Sequence, residues 1–260
     1  MPVKLHHPIR RPSESEFSAL TYEVMRCVFD IHNDLGRFFD ERIYKRELAR
    51  RLPGVSLEVP LEITFESFRK AYFIDVLFQN AAPLEFKAVE VITDRHRSQS
   101  LNYLLLADLP HGKLVNLRPE QVEHEFINAP LRTFERQQFD VVARDWQDNG
   151  TIKLREWFTA FLRDLGTCLD VTLYEEALAH CIGGPANVEQ EIEVVSEGVV
   201  LGTQKFRLLQ PAVAFKVTTL ADNLEAFAAH ARRLLAHTRL EAIQWVNVGR
   251  HRVTFTTIRK

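Results

Sequence analysis

The run Asp75-Val76-Leu77-Phe78-Gln79 passes through Asn80-Ala81-Ala82-Pro83 into Leu84-Glu85-Phe86-Lys87-Ala88-Val89. Two apolar runs around a short turn segment predict a tight β-hairpin. Strand side chains alternate between faces, so Glu85 and Lys87 share one face and Leu84 and Phe86 the other. Asp75, on the preceding strand, is near enough across the pair to join Glu85 and Lys87. Two carboxylates and an ammonium on one face of adjacent strands have the chemistry of a divalent-metal site.

Working outward, the first helix is expected to start near Ser13 or Ser15, with Glu16 as a capping-box partner for Ser13. Leu20, Val24, Cys27, Val28 and Ile31 follow at helical spacing, and Gly36 closes the helix. A second helix carries Asp40 to Leu48 and stops before Pro53-Gly54. Leu57–Phe65 and Arg69–Phe78 read as strands. Beyond the hairpin, a polar helix over 94–108 places His96, Gln99 and Tyr103 on one face. His111-Gly112 breaks it, and Lys113 to Leu117 reads as a strand. The expected order is α-α-β-β-β-α-β, a mixed sheet covered by helices.

The chain then repeats itself. Leu35-Gly36, Asp40, Tyr44 and Leu48 return 130 positions later as Leu165-Gly166, Asp170, Tyr174 and Leu178. Val24, Val28 and Ile31 return at the same offset as Leu154, Phe158 and Phe161. Phe86-Lys87 matches Phe215-Lys216, and Val115-Asn116-Leu117 matches Val246-Asn247-Val248. This predicts a tandem duplicated α/β fold, with copies at 14–128 and 152–260 and a linker or strap at 129–151. The copies are expected to superpose about a pseudo-twofold axis as an intramolecular pseudo-dimer, with the chain itself a monomer. In this alignment Glu41 becomes Val171, Asp75 becomes Phe206 and Glu85 becomes Ala214. His96, Gln99 and Tyr103 become Glu225, Ala228 and Arg232. The apolar framework is kept while the acids are lost together, which assigns the chemistry to the first copy.

With 260 residues, 46% of them hydrophobic, the chain can form one large core or two small ones. A formal net charge of -2 excludes a globally basic nucleic-acid binder and leaves phosphate contacts to local patches. Cys27, Cys168 and Cys181 are scattered and odd in number, against a disulfide framework. They also lack zinc-ligand spacing. No apolar run reaches membrane-spanning length and the first residues carry no signal region, so no membrane partner and a cytoplasmic location are expected.

Gly36, Glu41 and Tyr44, then Asp75, then Glu85-Phe86-Lys87-Ala88, form an ordered set. Gln99-Ser100-Leu101-Asn102-Tyr103-Leu104 and the Val115-Asn116-Leu117 strand complete it. Over residues 14–128 this resembles the GxxExxY family, a branch of the PD-(D/E)XK nuclease superfamily. Phe38 stands where that family carries a second glycine. The resemblance implies a restriction-endonuclease-type fold with a mixed sheet flanked by helices. It also implies phosphodiester hydrolysis in nucleic acid, with DNA preferred over RNA as partner, and Mg2+ or Mn2+ as cofactor. Asp75 and Glu85 would ligate the metal. Glu41 would ligate a second ion or orient water, and Lys87 would hold water or neutralise phosphoryl charge. Gln99 completes the catalytic set, while His96, Asn102, Tyr103 and Tyr44 would line the substrate side. Three functional classes fit these residues: a metal-dependent nuclease, a nuclease-derived nucleic-acid-binding module without turnover, and a protein-interaction scaffold.

Overall fold

Ser13 opens the first helix as read: its Oγ accepts from the Glu16 N–H at 3.2 Å. Glu16 does not return the bond as in a capping box; its carboxylate pairs with Arg10 instead. The computed structural model describes residues 2–147 and 153–260, and the chain divides into compact units at 1–133 and 134–260.

In the first unit, β1 (Val3–Leu5) precedes α1 (Glu14–Leu35) and α2 (Glu41–Arg51). The strands β2 (Val55–Phe65), β3 (Phe68–Phe78) and β4 (Ala82–Lys87) follow, then α3 (Asp94–Leu106), β5 (His111–Asn116) and β6 (Glu123–Asn128). The sheet order is β1-β2-β3-β4-β5-β6. Only the β4–β5 pair is parallel, joined through α3. Central β4 is buried along nearly its whole length, Glu85 included. Leu84 and Phe86 pack into the core with Val24, Val28, Tyr44 and Leu48 from α1 and α2. That leaves Glu85 and Lys87 on the other face.

Three local details differ from the sequence reading. The hairpin turn is Gln79–Ala81 rather than 80–83: Gln79 and Asn80 have φ of 51° and 58°, and Ala81 N–H donates to Phe78 O at 3.0 Å. The α3 helix ends well before His111-Gly112, at Leu106 with Ala107 as its cap; Asp108 follows with φ 52°, and His111 already belongs to β5. The edge strands β1 and β6 were not expected: Val3-Lys4-Leu5 is too short to show a period, and Glu123–Asn128 is mostly polar.

The second unit contains α4 (Thr133–Arg136), β7 (Asp140–Arg144), α5 (Leu154–Leu165), α6 (Val171–Cys181) and α7 (Pro185–Val188). It continues with β8 (Glu189–Ser196), β9 (Val199–Gln210), β10 (Val213–Thr218), α8 (Leu224–Ala236), β11 (Ala242–Val248) and β12 (Arg252–Arg259). Its sheet order is β7-β12-β11-β10-β9-β8. The segment 129–151, read as a linker or strap, supplies structure to this unit. Asp140–Arg144 pairs in parallel with β12, and the buried Arg136 donates to Leu165 O and Thr167 O at 3.2 and 3.0 Å. Residues 148–152 of that segment and of the second copy's start lie outside the described residues.

Both units share the order α-α-β-β-β-α-β-β, apart from the short α7, and in both the third and fourth of these strands pair in parallel. The paired mixed sheets fit a duplication. Tyr44 OH donates to Gly36 O at 2.7 Å, and Tyr174 OH donates to Gly166 O at 3.0 Å. Asn116 brackets Val89, accepting its N–H at 3.1 Å and donating to its carbonyl at 2.8 Å. Asn247 brackets Leu220 in the same way, at 2.8 and 3.0 Å.

These asparagines fix the register. Lys87 lies beside Asn116 and Glu85 beside Leu114; Thr218 lies beside Asn247 and Lys216 beside Trp245. Lys216 therefore stands at the place of Glu85, and Thr218 at that of Lys87. This corrects the sequence alignment of Phe86-Lys87 with Phe215-Lys216 by two residues, and with it the match of Glu85 to Ala214. The buried Ser100 and Leu104 of α3 correspond to Ala231 and Leu235 of α8. His96, Gln99 and Tyr103 then correspond to Phe227, His230 and Leu234 rather than to Glu225, Ala228 and Arg232.

Candidate active site

The β3–β4 ladder runs Phe78–Ala82, Leu77–Pro83, Val76–Leu84. One step further along the same register brings Asp75 opposite Glu85. Both are buried, at 8% and 4% exposure. The strands part here because Asp75 turns its carboxylate into the ladder: Oδ2 accepts the Phe86 N–H at 3.0 Å. On the other side, β2 pairs Leu57 with Val76 and Val59 with Ile74, which places Glu58 against Asp75. Glu58 has φ 50°, a left-handed conformation that L residues other than glycine rarely adopt.

At the centre lies Lys45 of α2, a residue to which the sequence reading gave no role. Its Nζ donates to Asp75 Oδ1 at 2.9 Å and to Glu58 Oε1 at 2.5 Å. It also lies 3.1 Å from Glu41 Oε1, one helical turn back. Burial alone would lower the Lys45 pKa, but the hydrogen bonds to Glu58 and Asp75 and the Asp75 charge outweigh it and raise it. Lys87 Nζ donates to Glu85 Oε1 at 2.6 Å.

Four carboxylates thus face two ammonium groups in a cluster that is buried at Lys45, Asp75 and Glu85 and open to solvent at Glu58, whose side chain is 55% exposed. Burial, then the charge of Asp75, pushes the Glu85 carboxyl up to about 8, against the opposing pull of Lys87. Glu41 is also raised, first by burial and then by Asp75. Glu85 Oε2 is buried and without a hydrogen-bond partner among the described residues. An orphaned carboxylate oxygen in this setting carries a desolvation cost that a cation would offset. Asp75, Glu85 and Glu41 are hard oxygen donors of the kind Mg2+ and Mn2+ take. Among the described residues no group of three or more His, Cys, Asp or Glu is arranged to hold a metal ion. The Lys45 ammonium lies against both Asp75 and Glu41. The donor set fits a divalent cation in chemistry, with Lys45 as the competing charge.

The other residues named from the sequence fall in different places. Gln99 Nε2 donates to Tyr103 OH at 2.8 Å, and the Tyr103 ring meets Tyr72 edge-on at 5.9 Å. Burial raises the Tyr103 phenol to about 12, so it stays protonated. Tyr103 and Glu85 line one crevice with Ser100 and Lys113. His96 is turned into the start of α3, where its Nδ1 accepts the Thr93 N–H at 3.0 Å. Its pKa is lowered by burial and then by Lys87. Asn102 is buried. Tyr44 is fully buried, and its hydroxyl bonds Gly36 O and accepts the Phe39 N–H at 3.3 Å. Tyr44 therefore fixes the α1–α2 turn that presents Glu41, which corrects its expected place on the substrate side.

At the corresponding place in the second unit the charges are exchanged. Glu175, the counterpart of Lys45, accepts from Lys216 Nζ at 2.7 Å and from Arg207 at 2.6 Å. That exchange was visible in the sequence as Lys45 against Glu175 and would have singled out Lys45. Glu58 carried no such signal: it reads as a polar residue of an alternating strand, and its conformation comes from the ladder.

Residues 18–128 match the family model described as the PD-(D/E)XK nuclease superfamily. A solved structure titled "Crystal structure of SSO0001" is 20% identical with a TM-score of 0.28, over 45% of this chain and 60% of that one. No curated protein matches the chain. No helix among the described residues is long and apolar enough to cross a membrane.

Proposed function

We propose, from the premise that residues 18–128 belong to the PD-(D/E)XK nuclease superfamily, that this protein hydrolyses phosphodiester bonds in nucleic acid at one centre, in its first unit. Gly36, Glu41 and Tyr44 support placing it in the GxxExxY branch. The observation that carries the reading is Glu85: a buried carboxyl opposite Asp75, with Oε2 orphaned and its proton held to about pH 8 by burial and the Asp75 charge. A purely structural strand gains nothing from two buried acids set against each other.

Asp75 and Glu85 would hold Mg2+ or Mn2+, with the Phe86 carbonyl as a further donor. Such an ion supplies Lewis-acid stabilisation of the phosphoryl group and hydroxide near neutral pH. Lys87, already hydrogen-bonded to Glu85, is the group that holds attacking water or neutralises phosphoryl charge. Lys45, which now holds Asp75, would compete with such an ion for that carboxylate and has Glu41 and Glu58 as its other partners. Gln99 and Tyr103 present polar groups beside Glu85 for the substrate. DNA is the proposed substrate in preference to RNA. The second unit, with Val171, Phe206 and Lys216 in place of Glu41, Asp75 and Glu85, contributes no second centre. It serves as the fused pseudo-partner that a family pairing two active subunits would otherwise recruit.

A supercoiled-plasmid time course in magnesium tests this reading. One centre per chain should accumulate nicked circles before linear DNA. Direct conversion to linear product would contradict the single-centre assignment. An uncut plasmid, with metal bound, would favour the binding module, the reading to which the Lys45–Asp75 pair lends support.

A further inference from the structure

The second unit holds a cleft of ≈ 520 Å³ where the first holds its acidic cluster. The corresponding crevice beside Glu85 and Tyr103 encloses ≈ 10 Å³. The residues at matched places give the two a different lining. Phe206 replaces Asp75, Phe227 replaces His96, and Leu234 replaces the longer Tyr103, while Lys216 replaces Glu85; of these only Leu234 is smaller than its counterpart. A cleft of this size, apolar-walled with a few charged groups at its rim, is typical of a site for a small organic ligand or part of a larger one.

Its charges specify the ligand. Among the residues lining the cleft, Lys205, Arg207 and Lys216 outnumber Glu175 and Glu189 by one positive charge, with Glu191 opposite Lys205 on β8 outside that lining. Glu175 is already held by Arg207 and Lys216, and Arg207 also lies 3.3 Å from Glu189. Lys205 and the nearby His230 are exposed at the rim. The apolar walls are aromatic on both sides, with half-buried Phe206 from β9 and Phe227 from α8. Phe227 is backed by Trp245 at 4.5 Å between ring centroids, which holds its ring in place. Aromatic faces beside a lone excess cation suit a planar ring carrying one negative charge.

We propose that this cleft binds one nucleotide unit, its base on Phe206 and Phe227 and its phosphate at Lys216, Lys205 and His230. A phosphodiester bears one negative charge, and a base laid on Phe206 and Phe227 must leave its own stack and pair, so the unit belongs to a single-stranded segment. The proposal rests on the nuclease reading only for the polymer that supplies the nucleotide. On this account the second unit exchanged metal-binding acids for a strand-holding site.

The full chain carrying Glu85→Gln, used to keep DNA intact, is titrated calorimetrically with a short single-stranded oligonucleotide, adenosine monophosphate, adenosine and inorganic phosphate. The oligonucleotide should bind saturably, with adenosine and phosphate each weaker by about tenfold or more, the scale of one charge-assisted contact. Adding Lys216→Ala or Lys205→Ala should weaken the oligonucleotide by about tenfold; both side chains are exposed, and an unchanged thermal melt shows that the fold is kept. Binding of the monophosphate as tight as the oligonucleotide would identify a free nucleotide as the source and would still place it in this cleft. No saturable binding of either, or binding that both lysine variants leave unchanged, overturns the assignment. Wild-type cleavage is measured separately, so loss of nuclease activity and loss of this site are distinguishable.

Discussion

Lys45 and Asp75 are joined by a 2.9 Å charge-assisted hydrogen bond between α2 and β3, both side chains nearly removed from water. The same ammonium reaches Glu41 and Glu58. One lysine thus holds together three of the four carboxylates of the site. Removing it as Lys45→Met should destabilise the metal-free protein by about 2–4 kcal/mol, the cost of leaving buried carboxylates unpaired. Magnesium should then raise the melting temperature of Lys45→Met more than that of wild type, because the competing cation is gone. A thermal-shift series with and without magnesium checks this, and an equal or smaller shift in the variant would contradict Lys45 as competitor.

Glu85 makes stability depend on pH. Its folded pKa of about 8 lies above the ordinary 4.5, so the folded state holds a proton that the unfolded state releases. That contribution is fully present below about pH 4.5 and is lost progressively as pH rises to 8. Urea melts of the metal-free protein across this window should show wild type losing stability relative to Glu85→Gln. Saturating magnesium should flatten the difference. The Lys45 pKa is also raised, so its contribution is complete below the ordinary lysine pKa and does not enter this window. A constant difference between wild type and Glu85→Gln would refute the buried, protonated Glu85.

Metal should bind the first unit alone. Calorimetry with Mn2+ or Mg2+ should show one class of site on the wild-type chain that Asp75→Asn with Glu85→Gln abolishes. Equal binding by wild type and the double variant would remove these residues from the site.

Tyr44 and Tyr174 do the same structural work in their units. Tyr44→Phe leaves Gly36 O and the Phe39 N–H without their partner, and Tyr174→Phe does so for Gly166 O and Leu169 N–H. Each should cost about 1 kcal/mol in a urea melt. Tyr44→Phe should also lower cleavage, because the turn it holds leads into Glu41, whereas Tyr174→Phe should not.

The features legible in the sequence were those written locally. Ser13, Gly36 and the hairpin signal around Asn80 fixed helix and turn positions, because caps and turns depend on a few adjacent residues. That Asp75 and Glu85 could share a face was legible from alternation, while their register was not, because it depends on a turn that falls at Gln79–Ala81. The repeat was legible in its helices and misaligned by two residues in β10, since a shift of two keeps every side chain on its face. The offsets 215−86 and 247−116 differ by two, and only the Asn116 and Asn247 brackets show which governs the sheet. Lys45 was passed over because lysine on a helix ordinarily faces water, although its exchange for Glu175 130 positions on was there to be read. The strands β1, β6 and β7 were hidden because a polar edge strand is defined by its neighbour more than by its own pattern.

The central claim is that the acids on β3 and β4 form a cation-dependent phosphodiesterase centre. Its most direct test is cleavage of single- and double-stranded DNA by wild type, Asp75→Asn and Glu85→Gln across a magnesium titration from a chelated baseline. The account predicts cleavage by wild type that appears with magnesium, and a loss of about a hundredfold or more in each variant, the scale of removing one electrostatic stabiliser of the transition state. Cleavage that persists in both variants, or in the chelated protein, would contradict it.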